Sequence, residues 1–580
     1  MKVADIKLRG PYSRGPAEEK ELTHVLGFDT ETLKSGYVFL LADSEGNHIW
    51  IRELKDLLPF ITSGEKYVCY NMRFDAEALL KWFGKDFCSE LLKGKKPYHE
   101  DLGVRVWYAP GKFLHFIKGS VYTTFWDVAQ FYQEQGHYVP LKQAASVHLG
   151  KEKLEFPVQD MGKSFYDNQQ LLEYCINDAK LAGDLGNLLI KEYREMGIII
   201  SGLVSPANIM ESFVLDYNRT WIPDITKIPL DVLQYAEDAV LPPWREFFKR
   251  GYFPTMYNYD INSAFPFFIC RLIDICDGEW KYLKRTILHE AFCGYVKCIV
   301  EVPETYVSWV GYMNKIDDNF TPFGKFPVTL TLNGLRNLPE GTKVKVIDGW
   351  YFIPWETRAV FRDAFEDLFK IKEKSDEGSL RRHLVKVLIA SLHGKFRQTF
   401  YDGDADETRM GRLFMPPYAA EIMTNARLHI YEVVRQIPPE FLIGIHTDCI
   451  YSSEELEMKL GRRAGGWDLR GTYPFLVIGL NHAEKGEGWF TNQIRLNPEA
   501  TEYMDYRTPR NAPVSLGEAI EGDEFEKAGV FERYERKVDI VHQVYKRFWP
   551  NTPLCGGDLL NNTYDSKMLN VILTEMPDDR

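Results

Sequence analysis

Acidic side chains stand at the ends of strand-like runs and on one helix within the first 200 residues, and their placement restricts the fold more than any other feature. Residues 24–51 alternate as strands do: HVLGFDTET, then YVFLLAD, a turn at Glu45-Gly46-Asn47, then HIWI. Asp29 and Glu31 lie two apart at the end of the first run, so their side chains share one face of a sheet. Asp75 follows a second short strand, Lys66 to Tyr70, where a helical stretch from Arg73 to Phe83 begins. Tyr174 and Asp178, four apart, share a face of a long amphipathic helix predicted over Asp167 to Met196. A fold that gathers four carboxylates must supply cations, because like charges repel at short range. Oxygen ligands suit Mg²⁺ or Mn²⁺, and two such ions about 3.5–4 Å apart can clamp an in-line phosphoryl displacement. Tyr174 is placed to orient an attacking water. Single acid-x-acid pairs carry no weight, since 83 acids in 580 residues give about a dozen by chance. The order and spacing of the set carry the reading.

VYTTFW reads as a further strand, and strands alternating with helices predict an α/β domain over about 1–200. Ser201 to Arg250 is helical with Pro-rich joints (SPANIM, WIPDITKIPL, LPPW) and reads as a connector. Strand-like runs return at Met256 to Asp260 and Gly294 to Val302. A long helical block, Thr357 to Leu392, precedes a helix near Ala419 to Arg435 and a strand-turn-strand at Phe441 to Tyr451. The length allows three or four domains of roughly 150 residues. No apolar run approaches about 18 residues, so no membrane span is predicted. The opening MKVADIKLRGPYSRGP has no apolar stretch of a secretory signal. Nine cysteines without a C-x-x-C pair argue against a disulfide framework or a zinc site, and predict a reducing, cytoplasmic setting. A net charge of -13 opposes nucleic-acid binding only as an average. From Arg358 to Gln398, ten Lys/Arg face six Asp/Glu, a basic block within an acidic chain.

That block lies between the members of a second acid pair. Asp260 ends a strand in YNYDINSAFP, and Asp448 sits in FLIGIHTDCIYS. The intervening helix carries Lys374, Arg382 and Lys386, followed by ASLHGKF. Arg382 and Lys386, four apart, share a face, as a triphosphate clamp requires.

FDTET, YNMRFD and YCIND resemble the three motifs of DnaQ-like 3′–5′ proofreading exonuclease domains, the third in the tyrosine form (Y-x-x-x-D) usual in family B DNA polymerases. DINSAFP is similar to polymerase motif A (D-x-x-S-L-Y-P), KVLIASLHG to motif B (K-x-x-x-N-S-x-Y-G) and HTDC to motif C (D-T-D-S). FKRGYF resembles the Y-x-G-G junction, here with Lys249, Arg250 and Gly251. The resemblance covers roughly residues 25–200 and 245–455. Total length, the compact exonuclease region and the Lys374–Arg382–Lys386 spacing bring it nearest the protein-primed phage and plasmid branch.

The resemblance implies an α/β and α+β multidomain chain: an RNase H-like (DnaQ-type) exonuclease domain plus a right-hand polymerase with palm, fingers and thumb. Its divisions fall at 1–200 (exonuclease), 201–250 (connector), 251–355 (palm, with a shortened insertion), 356–398 (fingers), 399–480 (palm) and 481–580 (thumb and C-terminal region). The implied function is DNA-directed DNA synthesis with 3′–5′ proofreading, by two-metal-ion nucleotidyl transfer, in replication of a phage or plasmid genome. The alternative is an exonuclease whose polymerase region is degenerate and serves as a DNA-binding platform. Implied partners are primer-template and single-stranded DNA, dNTPs and a terminal-protein primer, for a monomer in the cytoplasm of a host. Two Mg²⁺ (or Mn²⁺) per site would be held by Asp29, Glu31, Asp75 and Asp178, and by Asp260, Ile261 and Asp448. Thr32, Asn71 and Phe74 match positions that grip the frayed 3′ end, and either Lys151 or Lys153 matches another family position. Ser263, Phe265, Lys374, Arg382 and Lys386 would bind the nucleotide, and Arg250, Gly251 and Lys395 the DNA. Phe265 replaces a tyrosine whose ring would exclude a 2′-OH.

Several positions depart from the pattern. WDVAQFY lacks the Ser/Thr-Leu motif, Ala390 and His393 replace Asn and Tyr of motif B, and His446 replaces the first Asp of motif C. A neutral imidazole is a poor Mg²⁺ ligand, so His446 is expected beside the ions or facing DNA. The segments Glu301 to Pro354 and Arg397 to Pro417 are short where that branch carries its terminal-protein-binding and processivity insertions. No K-x-Y is evident near the C-terminus.

Overall fold

Leu26–Thr32 and Val38–Asp43 are buried on both faces, as strands covered from both sides are. Both lie inside an eight-stranded sheet of a computed structural model that describes residues 2–10, 21–134, 137–156, 162–218, 223–313, 319–479, 482–485, 510–534, 546–550, 559 and 562–573. The strand order is His48–Trp50, Val38–Asp43, Leu26–Thr32, Lys66–Cys69, Val121–Asp127, Phe113–Lys118, Val104–Ala109, Tyr98–His99. Leu26–Thr32, Lys66–Cys69 and Val121–Asp127 run parallel, and the remaining pairs are antiparallel. The Gln169–Glu195 helix, capped by the Asn168 side chain on the Leu171 N–H, lies along one face. Phe28, Phe116 and Phe125 on the other face meet Leu79, Leu80 and Leu91 from the Met72–Leu80 and Lys85–Leu92 helices. Val514, Leu516, Ala519 and Ala528 complete that core from the far end of the sequence. Lys81, 1% exposed, secures them by donating to the carbonyls of Ser35 (2.7 Å), Glu526 (2.6 Å) and Ala528 (2.9 Å).

A second, seven-stranded sheet is built on the 13-residue strand Lys249–Ile261. Cys449–Ser452 pairs with it on one side and Trp467–Gly479 on the other, all antiparallel. Leu442–His446 and Arg245–Phe247 extend the first side, and Thr563–Asp565 pairs with Lys249–Gly251. A five-stranded sheet, Gly278–Lys284, Lys343–Pro354, Cys293–Val302, Phe323–Thr331 and Asn570–Ile572, lies beside it. The Arg362–Lys374 and Leu380–Ser391 helices pack together, and Pro206–Tyr217 packs on the second of them. One apolar core runs from Leu185 and Tyr193 through Met210 to Leu384 and Tyr418, joining the first sheet's long helix to this pair.

The structure adds detail to four of the segments read from the sequence. The helical block over Thr357 to Leu392 is two helices, broken where Ser375 becomes extended and Ser379 caps the second. The connector 201–250 ends in a strand of the seven-stranded sheet. The short Glu301 to Pro354 segment supplies strands of the five-stranded sheet. The described parts of 481–580 divide among the sheets: 510–534 docks on the first, while Thr563–Asp565 and Asn570–Ile572 join the others. The rest of that region lies outside the described residues. No helix among the described residues is long and apolar enough to cross a membrane.

Candidate active sites

Gly27, Asp29 and Glu31 project from one face of their strand toward the Gln169–Glu195 helix. The two elements are unusually close there. A Cβ on Gly27 would stand 1.7 Å from the Ala179 carbonyl oxygen, and one on Gly183 would stand 2.7 Å from the Gly27 nitrogen. This approach sets Asp178 and Cys175 against the strand-end acids, and ligand-capable atoms of Asp29, Glu31 and Cys175 lie within 4.8 Å of one another. Burial raises the Asp29 pKa well above the carboxylate range, with the charges of Glu31, Asp178 and Asp75 adding to it. Glu31 is pushed up to about 8 by burial and then by Asp178. Asp75 is pushed up to about 7 by burial, against the Thr30 hydroxyl that donates to its Oδ1 at 2.5 Å.

Asp178 is paired with Lys153, whose ammonium also lies 4.8 Å from the centre of the Tyr174 ring. Burial opposes the Lys153 ammonium, but the Asp178 carboxylate outweighs it and holds its pKa above the ordinary range. Lys151 instead pairs with Asp184. Of the two lysines left open by the sequence, Lys153 is therefore the one in the cluster. Asn71 is exposed and left-handed (φ 65°) at the start of the Met72–Leu80 helix, its N–H donating to Asp127 Oδ1 at 3.0 Å. Asp127 also accepts from the Ala129 N–H, so this buried acid in WDVAQFY fixes the Asn71 turn. Phe74 meets Phe531 at 5.6 Å, and Thr32 is half-buried at the strand end.

Asp260 and Asp448, separated by nearly 200 residues, meet across paired strands, because Asp260 stands opposite Cys449 in the ladder. Thr447, left-handed at φ 64°, turns the hairpin that carries Asp448. Ligand-capable atoms of Asp260, Asp448 and Cys449 lie within 4.8 Å of one another. Burial and then the Asp260 charge raise the Asp448 pKa to about 6. Arg470 holds Asp260, with Nη2 2.7 Å and Nε 2.8 Å from its Oδ2. Ile261 donates its N–H to the Asp448 carbonyl at 3.1 Å. His446 pairs in register with Cys449 beside this turn.

Phe265 stacks on His393 with ring centroids 4.2 Å apart, and His393 Nδ1 approaches the Ala390 carbonyl at 3.0 Å. Lys372, rather than the exposed Lys374, reaches Ser263 Oγ at 3.3 Å. Burial lowers the Lys372 pKa, and the nearby Lys386, Arg382 and Arg470 lower it further. Arg382 Nη1 donates to the Lys372 carbonyl (2.7 Å) and the Ser375 carbonyl (3.3 Å), tying the two helices together, and Lys386 is exposed. Three expected DNA contacts are not on the surface. Arg250 is 1% exposed with its guanidinium near the Trp549 ring. Gly251, at φ 118°, lies where a Cβ would strike the Asn562 carbonyl at 2.1 Å. Lys395 is buried against Glu211 (3.3 Å) and Gln398 (2.8 Å). Lys395 thus has its charge paired within the fold.

Lys372, Arg470, Asp127 and Cys175 were not singled out from the sequence. Lys372 and Lys386 lie on different helices and are neighbours only because the chain breaks at Ser375 and the two helices pack together, and Arg470 lies on a strand outside every motif.

No family model matches the chain, and no curated protein sequence does. Solved structures do. Phi29 DNA polymerase complexed with primer-template DNA and incoming nucleotide substrates is 14% identical with a TM-score of 0.66, over 90% of this chain and 100% of that one. Its post-translocation binary complex gives 0.64 over 89% and 100%, at 14% identity. Its complex with single-stranded DNA gives 0.59 over 80% and 87%, again at 14%. The likeness is one of architecture: the chain has the fold of Phi29 DNA polymerase.

Proposed function

We propose that the chain is a DNA-directed DNA polymerase with 3′–5′ proofreading exonuclease activity, acting on primer-template DNA and dNTPs. The observation that carries the reading is the meeting of Asp260 and Asp448 beside Phe265 and a helix pair bearing Lys372, Arg382 and Lys386. The first sheet with its carboxylates would be the RNase H-like exonuclease, the seven-stranded sheet the palm and the helix pair the fingers. The protein-primed branch, and with it a phage or plasmid replicon, is what the resemblance of the motifs implies.

Both acid clusters suit small hard cations. Each offers two carboxylates, beside one thiol, and Asp178 Oδ1 is buried without a hydrogen-bond partner among the described residues. Mg²⁺ or Mn²⁺ held by Asp260, Ile261 and Asp448, and by Asp29, Glu31, Asp75 and Asp178, would activate the attacking oxygen and neutralise charge developing on the phosphate. In the polymerase centre, Lys372 and Lys386 offer ammonium donors to the triphosphate, while Arg382 fixes the spacing of the helices that carry them. Phe265, braced by His393, lies where the sugar of the incoming nucleotide would rest. In the exonuclease centre, Lys153 and Tyr174 orient Asp178 and a water, and Asn71, Phe74 and Thr32 line the approach of a frayed 3′ end.

A second reading, an exonuclease with a degenerate polymerase half, is favoured by one observation: Arg470 already neutralises Asp260. A labelled primer-template with Mg²⁺, with and without dNTPs, separates the two. Extension on adding dNTPs supports the first. Degradation with or without dNTPs, and never extension, supports the second.

A further inference from the structure

The third ligand-capable group beside Asp29 and Glu31 is a thiol, and no polymerase or nuclease step described above uses it. Cys175 is fully buried, one turn before Asp178 on the helix that Gly27 and Gly183 bring against the strand. Its sulfur belongs to the group of atoms within 4.8 Å that includes both carboxylates. Two further features make this more than an acid cluster. Asp178 Oδ1, on a side chain 5% exposed, is buried without a hydrogen-bond partner among the described residues, and its charge acts on both Asp29 and Glu31. Lys153 covers the other oxygen of Asp178 and makes no ion pair with Asp29 or Glu31 among the described residues.

We propose that Asp29, Glu31 and Cys175 form a mixed carboxylate–thiolate site for a thiophilic divalent cation such as Zn²⁺ or Cd²⁺, competing with Mg²⁺ for the same centre and switching it off. The inference rests on reading this cluster as the exonuclease metal centre.

The chemistry depends on the softness of the ion. Oxygen-seeking Mg²⁺ draws on the Asp29 and Glu31 carboxylates and leaves the sulfur unbound. A thiophilic ion forms a metal–sulfur bond as the S–H bond breaks, and the proton leaves to the buffer. The sulfur then occupies a coordination position that water and the DNA phosphate would need. Cys449 is the natural comparison. It is half-exposed, and the carboxylate it donates to, Asp260 at 3.3 Å, is already held by Arg470.

The test is titration of the full chain with Cd²⁺, reading the ultraviolet thiolate-to-cadmium absorption band and the protons released. The wild type should show a saturable band with proton release. Cys175→Ser should lose it, Cys449→Ser should keep it, and Glu31→Gln should bind at least about tenfold more weakly. A band that persists in Cys175→Ser, or vanishes in Cys449→Ser instead, overturns the proposal. Should Cys175→Ser fail to fold by circular dichroism, Glu31→Gln decides, since unchanged affinity in that folded variant also overturns it. Degradation of a single-stranded oligonucleotide by the wild type in Mg²⁺ tests the exonuclease reading separately. A chain that shows the Cys175 band but degrades nothing refutes that reading and retains the cation site.

Discussion

A carboxylate whose pKa rises on folding binds its proton more tightly in the native state than in the unfolded chain. The stability it contributes is complete below its unfolded value and is lost as pH climbs through the folded one. Glu31 at about 8, Asp75 at about 7 and Asp448 at about 6 all behave this way, each chiefly because burial disfavours its charge. Chelator-treated protein should therefore melt at progressively lower temperature between about pH 5 and pH 8, and Mg²⁺ should restore the loss most at the alkaline end. A Glu31→Gln variant should show a shallower decline; equal slopes for the two proteins would contradict the assignment. Phe265 bears on substrate choice. Its ring is held by His393 in a stacked pair, so Phe265→Val both opens space and frees the histidine. Ribonucleotide incorporation should rise about 10- to 200-fold relative to dNTP. An unchanged ratio in a folded variant would remove the ring from the sugar-discriminating role.

Elements locate the carboxylates through two contacts that differ in how far the sequence discloses them. The Gln169–Glu195 helix is evident from its period and from Asn168, and the strand from its alternation. Their separation is not, because it depends on glycines facing one another across 150 residues. A signal existed in Gly183 and Gly186, since glycine inside a helix is unfavourable unless something must come close. Gly27→Ala should cost about 3 kcal/mol or more by forcing the helix away, and single-strand degradation should fail before extension does. Thermal melts and both assays on one preparation check this. In the paired helices the two basic residues that share a face have different work. Lys386→Ala should raise the apparent KM for dNTP with little change in melting temperature. Arg382→Ala should also lower stability, by about 1–3 kcal/mol, because its guanidinium holds carbonyls at the end of the neighbouring helix. Equal melting temperatures for the two variants would refute that division. The spacing of Lys374, Arg382 and Lys386 suggested one clamp, but the break at Ser375 is a matter of tertiary packing and substitutes Lys372 for Lys374.

Across the whole molecule, the two acid centres stand on different sheets, so their activities should separate. Asp29→Ala with Glu31→Ala should abolish degradation of single strands and leave primer extension nearly intact; parallel loss of both in a folded protein would refute the two-centre reading. The strand-end acids of both centres were legible because charge at the end of an apolar run is conspicuous. The burial of Arg250 and Lys395 was not legible, because sequence does not distinguish a cation facing solvent from one enclosed by groups far along the chain, such as Glu211 beside Lys395. The segment 510–534 was illegible for the same reason: its few apolar residues complete a core whose preceding member, Phe125, lies some 390 positions earlier. That separation has a consequence in time. A ribosome adding about 5–20 residues per second takes roughly 20–80 s to pass from Phe125 to Val514. Throughout that interval the first domain to emerge lacks its closing wedge, and Lys81 lacks two of its three carbonyl acceptors. The part of the protein made first is thus among the last to be finished, and its exposed apolar face is where a chaperone would be needed during synthesis.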